Sequence, residues 1–230
     1  MEAAGPWVQQ WLSSPRFDPY LKATGGDVDE ALELYVGNAK LAGALLVDIG
    51  HVEVALRNSY NVALERRFGA EPHWTSRIEE VLGSSGATKG LGRLVTSQSA
   101  CTVAPDSDQP ISMDSSASSS DRVISKLSLG FWVSMTSAVH EQRLWIPAIR
   151  HAFASPPSRV DAHRTMTELR SIRNRAAHQD SLLGLDVRSA HVQLLDFAQA
   201  LQPSVSEVIA AMSDVPLLLN RYRAERAKFR

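Results

Sequence analysis

Between Asp27 and Gly69 the chain carries a single apolar stripe at helical spacing. Leu34, Leu41, Leu45, Ile49, Val52, Leu56, Tyr60 and Leu64 recur at steps of mostly three and four, and side chains spaced this way share one face of an α-helix. Asp27 is a suitable N-cap and Gly69 a natural stop,. A stripe sustained over so many turns needs other apolar faces to cover it, so the chain is expected to pack helix on helix. Gly43 and Gly50 mark the two places where this helix can bend,.

The remaining pattern agrees. Helical segments are expected over 71–82, 122–129, 131–140 and 141–152, the last with Pro147 inside it. Pro156-Pro157 stops that run, and Ser158 caps a helix reaching about His178,. After a loop around Gly184, two more helices are expected over 187–201 and 204–212, and Pro216 opens a basic tail. Residues 91–97 match neither period. Residues 100–121, with Pro105, Pro110, several aspartates and many serines, offer little to bury and are expected to form a mobile loop,. No alternating run is long enough to build a sheet. The expected fold class is all-α, a single helical-bundle domain over 1–230 with a flexible insert.

Composition removes several functions. Hydrophobic residues make up 44% and charged residues 21%, with a formal net charge of −1. A wholly disordered chain and a globally basic nucleic-acid binder are both excluded, and only a local basic face is left open. Cys101 is alone, so it closes no internal disulfide and builds no thiolate metal cage,. No apolar run approaches the ~18 residues that span a bilayer. Met1–Ala4 lacks the basic and apolar regions of a signal peptide, so a cytoplasmic protein with no membrane contact is expected.

The common catalytic signatures are missing. There is no phosphate loop of the Gly-x4-Gly-Lys-Ser/Thr kind, no His-Glu-x-x-His and no Gly-x-Ser-x-Gly elbow,. The histidines are scattered, which gives no metal site and no cofactor,. One stretch remains: Arg170-Ser171-Ile172-Arg173-Asn174-Arg175-Ala176-Ala177-His178. With 19 Arg and 7 His in 230 residues, about 0.6 Arg-x4-His pairs are expected by chance, but only about 0.01 with Asn after the Arg. The Arg173-Asn174-x3-His178 form is therefore the informative one.

Its chemistry suits RNA scission. An imidazole moves protons near neutral pH, a guanidinium holds phosphate and its developing charge, and an amide orients either group. With the ribose 2′-hydroxyl as nucleophile, neither a metal nor a protein nucleophile is required. Arg170, Asn174 and His178 share a helix face, whereas Arg173 and His178 are about 140° apart around an ideal helix. They converge only if the last turn distorts, Arg173 swings across or a second chain completes the cleft. The plainer alternative is a set of cations favoured at a helix C-terminus. Between Arg143 and Arg175 seven arginines face Asp161 and Glu168, a net of 7 − 2 = +5. That run reads either as a phosphate-binding face, with Arg170 and Arg175 as RNA contacts, or as solvated helix surface.

Arg173 through His178 resembles the Arg-x4-6-His motif of HEPN domains. The rest of the chain is similar to the Abi-like (abortive infection) branch of that superfamily. The similarity is carried by Leu12-Ser13-Ser14-Pro15-Arg16-Phe17 with Tyr20-Leu21 and Leu34-Tyr35 through Asn38, by Val52 through Asn58, and by Leu127 through Ser134 followed by Leu144-Trp145 and Phe153. The resemblance implies an HEPN-like helical bundle with added N- and C-terminal helices that works as a homodimeric, metal-independent endoribonuclease. It implies a toxin or phage-defence role, with an antitoxin (protein or RNA) as a possible partner. Arg173 and His178 carry over as catalytic residues, and Asn174 as a polar residue supporting them. Where many members have a second His after the motif, this chain has Gln179-Asp180-Ser181. Glu53, Arg57 and Asn58 are supporting residues on this reading, lining the cleft. The alternative is a structural ion pair between Glu53 and Arg57, four residues apart. A non-catalytic RNA-binding or partner-binding module is the competing function. The five tryptophans are expected in the core.

Overall fold

The computed structural model describes residues 7–83 and 119–228. Among them there is no strand, and the fold is all-α. Two short helices, α1 (Trp7–Leu12) and α2 (Ser14–Ala23), precede α3 (Val28–Phe68), which is unbroken over 41 residues. Asp27 does cap α3: its Oδ1 accepts the Glu30 amide at 2.9 Å. Gly43 and Gly50 leave the helix continuous. Gly69, with φ near +90°, ends it in a backbone region that other residues rarely adopt,.

The expected helix over 71–82 divides into a 3₁₀ turn, Trp74–Arg77, and α4 (Ile78–Leu82). Residues 91–97, Cys101 and most of the expected loop, 100–118, lie outside the described residues. The last three residues assigned to that loop, 119–121, are instead the first turn of α5 (Ser119–Lys126). α6 (Leu129–Ser134) follows, with Ser128 as its N-cap. The expected 141–152 helix breaks at Pro147, which has no N–H to donate. On its N-terminal side is a π-turn, Glu141–Trp145, and beyond it a 3₁₀ turn, Ile149–Ala152. The chain then forms α7 (Arg159–Ala177), α8 (Val187–Leu201), α9 (Pro203–Met212) and α10 (Val215–Ala227).

These elements form two compact units. The first holds 1–52, 168–199 and 204–230, and the second holds 53–167 and 200–203. In the first, Leu34, Leu41, Leu45 and Ile49 of α3 are buried, as are Leu169, Ile172 and Ala176 of α7, Leu194 and Phe197 of α8, and Val215, Leu219 and Tyr222 of α10. These residues repeat at three- and four-residue steps, as a helix needs to bury one face. α3 and α10 approach closely at Gly37, where an added Cβ would lie 2.7 Å from Glu225 Oε2. A polar cluster joins buried Asp48 of α3 and His191 of α8 to the link before α10: Ser213 Oγ donates to Asp48 Oδ2 at 2.6 Å, and His191 Nε2 is 3.1 Å from the same oxygen.

The core of the second unit is aromatic. Tyr60 meets Trp132 and Phe153 edge-on, and Trp74 stacks on Phe131. Trp74 Nε1 donates to Asn61 Oδ1 at 2.6 Å, and His73 bridges Asn61 and Glu65 at 3.2 Å to each. Burial raises the Tyr60 phenol far above its ordinary range, and its hydroxyl reaches only Met166 Sδ.

Trp74, Trp132 and Trp145 are core residues as expected, but Trp7 and Trp11 are not: they are 52% and 59% exposed. Both belong to a helix of only six residues. The face that α1 buries is instead that of Val8 and Leu12, one position on from each indole.

Candidate functional site

α7 starts as its sequence implies. Ser158 Oγ accepts the Asp161 amide at 3.1 Å, so the first turn is capped,. Ile172 and Ala176 face inward, whereas Arg170, Arg173, Asn174, Arg175 and His178 are all exposed. The helix ends without distortion. His178 N still donates to Asn174 O at 3.0 Å, Gln179 N to Ala176 O at 3.1 Å, and Asp180 N to Arg175 O at 2.9 Å. This is the Schellman pattern, in which the residue after the cap takes a left-handed conformation. That residue is Gln179, with φ +56°. Gly25, with φ +67°, holds the same position after α2, where Gly26 N bonds Leu21 O at 2.8 Å.

A regular last turn keeps Arg173 and His178 about 140° apart. Arg173 Nη1 reaches Asn174 Oδ1 at 3.4 Å and makes no contact with His178. The fold of one chain therefore brings Asn174 to Arg173 but does not join Arg173 to the imidazole.

The loop after His178 is held from four elements. Arg16 of α2 donates to His178 O at 3.3 Å, Arg175 of α7 to Ser181 O at 3.4 Å, and Arg226 of α10 to Leu183 O at 2.9 Å. Buried Asn38 of α3 donates to Asp180 O at 3.3 Å and accepts the Leu182 amide at 2.8 Å. Arg16 and Arg175 are exposed and each spends one N–H of five on a carbonyl, so their others remain for an anion, whereas Arg226 is half-buried,. Tyr20 lies behind the loop. Burial pushes its hydroxyl up to about 12, with Ser181 beside it offsetting part of the rise, so it stays protonated.

The motif and loop belong to the first unit, and Glu53, Arg57 and Asn58 to the second. Glu53 and Arg57 are half-buried and Asn58 is exposed. The alternative, a Glu53–Arg57 ion pair, is not formed: Arg57 Nη1 donates to Ser125 O at 3.4 Å instead. Arg57 and Asn58 line a cavity of about 280 Å³ with Asn61, Asp121 and Arg122. The roles of Arg16 and Asn38 were not apparent in the sequence. Asn38 had one signal, its place four residues after Leu34 on the buried face. Arg16 stands in the Leu12–Phe17 block of the resemblance, but nothing there marks its partner, a carbonyl 162 residues away.

Among the described residues, no group of three or more His, Cys, Asp and Glu side chains is placed to hold a metal ion. No described helix is long and apolar enough to cross a membrane. The site belongs to an all-α protein whose single exposed motif histidine ends a helix inside a cluster of arginines. No family model matches the chain, and neither a curated protein nor a solved structure matches it.

Proposed function

We propose that this protein is a metal-independent endoribonuclease of the HEPN type, acting as a toxin or phage-defence effector. The observation that carries this reading is the exposed His178 just past the end of α7, whose backbone carbonyl accepts from Arg16 and whose following loop accepts from Arg175. In the reaction, His178 takes the proton of a ribose 2′-hydroxyl as its oxygen attacks the adjacent phosphorus. Arg173 stabilises the charge on the phosphoryl oxygens, and the P–O5′ bond breaks. The 5′-oxygen leaves with a proton from an acid such as the imidazolium, and a 2′,3′-cyclic phosphate remains. Asn174 holds the Arg173 guanidinium. The angle between Arg173 and His178 supports a site completed by a second copy, so a homodimer is the working form. An antitoxin that covers the arginine face would restrain it.

The separation of Arg173 from His178 within one chain also favours a second reading, a non-catalytic RNA-binding module in the same setting. Incubation with labelled RNA in EDTA separates the two. The ribonuclease reading expects cutting that leaves 2′,3′-cyclic ends, lost by about 10²–10⁴ in rate in His178→Ala. His51→Ala, at an exposed position on α3, serves as the control. His163 is a poorer control because its Nδ1 bonds Thr136 Oγ1 at 2.9 Å. Binding without cutting would establish the module instead.

A further inference from the structure

We infer that Trp7 and Trp11 form a stacking platform for unpaired nucleobases, so that the RNA engaged at the arginine-held loop is single-stranded. This rests on the RNA reading above and adds the class of RNA and the residues that select it. The two indoles are 52% and 59% exposed, with ring centroids 6.1 Å apart and planes 18° from parallel. A fluctuating surface side chain gains little from such an arrangement, whereas a base gains a wide, flat apolar face.

The platform is braced from below. Trp11 meets Tyr35 edge-on at 5.8 Å, and Tyr35 meets Tyr20 at 5.6 Å. Both tyrosines are buried, at 8% and 0% exposure. The same Tyr20 lies within the electrostatic reach of Arg16, Asp180 and Ser181. A row of ring contacts therefore runs from the exposed indoles inward to buried Tyr20 on α2, the helix that also carries Arg16. Arg16 marks the charged end of that row and donates to the His178 carbonyl. The nearest acid on its own helix, Asp18, is two positions on and about 160° around α2, so it does not cancel the Arg16 charge on this face. Stacking rings beside phosphate-binding cations is the combination that single strands use, because bases in a duplex have no free face to offer. Asp180, exposed on the loop, faces the same row and limits how many phosphates bind there.

The test uses the full chain carrying His178→Ala, so that the probe survives. The probes are a labelled 12-nucleotide single-stranded oligouridylate or oligoadenylate and a blunt 12-base-pair RNA duplex. The expected result is quenching of tryptophan fluorescence by the single strand and a preference for it over the duplex. Trp7→Ala and Trp11→Ala should each weaken single-strand binding by about 5-fold to 100-fold, and Trp11→Phe should recover most of it. Trp11→Phe keeps the packing on Tyr35, so it answers the question even where Trp11→Ala fails to fold. Wild-type-like single-strand affinity in Trp7→Ala and in folded Trp11→Ala, alongside loss in Arg16→Ala, would overturn the platform while leaving the RNA reading intact. No RNA binding by any form would overturn both. A change of oligomeric state in the tryptophan variants with unchanged RNA affinity would show that the indoles join two copies and would also overturn the platform.

Discussion

Gln179 is the residue at which local strain and the candidate site meet. Its φ of +56° is one that side chains with a Cβ rarely adopt, and its Oε1 is buried with no hydrogen-bond partner,. Gln179→Gly relieves both, less the entropy that glycine adds to the unfolded chain. A gain of about 0.5–1 kcal/mol is expected in urea denaturation. No gain would mean that the side chain contributes contacts of its own. Asn38 has the opposite sign. It is fully buried and satisfies both Asp180 O and Leu182 N. Asn38→Ala strands the Leu182 amide, so a loss of about 1–3 kcal/mol is expected. Cleavage should fall as well, because the loop that carries Arg16's anchoring carbonyl is released. A variant that loses stability but cuts RNA at the wild-type rate would separate the loop from the chemistry.

At the scale of elements, the segment around the π-turn Glu141–Trp145 carries a pH dependence. His140, immediately before it, is 2% exposed, and its Nδ1 has no partner. Burial first, and the neighbouring Arg143 second, hold its pKa below the ordinary value. The unfolded chain protonates this imidazole near pH ~6.5, whereas the folded chain does so only at lower pH. Between those values the unfolded state binds more protons, so stability is full above about 6.5 and falls as the pH drops below it. Urea midpoints measured from pH 8 to pH 5 should show this fall, and His140→Gln should flatten it. An unchanged slope in His140→Gln would assign the dependence to other groups.

At the scale of the whole molecule, the basic face and the second copy make separate predictions. Arg16, Arg170, Arg173 and Arg175 are all exposed. If these four meet phosphates of a single strand, affinity should fall by roughly fiftyfold between about 50 and about 200 mM salt. A flat response would exclude an electrostatic interface. If each site takes Arg173 from one copy and His178 from the other, mixing Arg173→Ala and His178→Ala chains creates one intact site in every mixed dimer. About a quarter of wild-type activity should return on mixing two inactive proteins. No recovery would place both groups in the same copy.

Periodicity alone determined the class and most helices of this protein, because a helix that buries one face must repeat at three and four residues. The continuous α3, the capped α7 and the exposure of Arg170, Asn174 and His178 all follow from that pattern. The tertiary structure decided what periodicity does not encode. It turned Trp7 and Trp11 outward, because α1 buries the face of Val8 and Leu12 instead. It gave Arg57 to a backbone carbonyl rather than to Glu53, although an i, i+4 spacing permits the ion pair. It also gathered Arg16, Asn38, Arg175 and Arg226 around one loop, from positions up to 162 residues away from their partners in it. The partners in these contacts are backbone carbonyls and amides. Every residue has those groups, so no residue type in the sequence marks them, and only the packing of helices selects which ones meet.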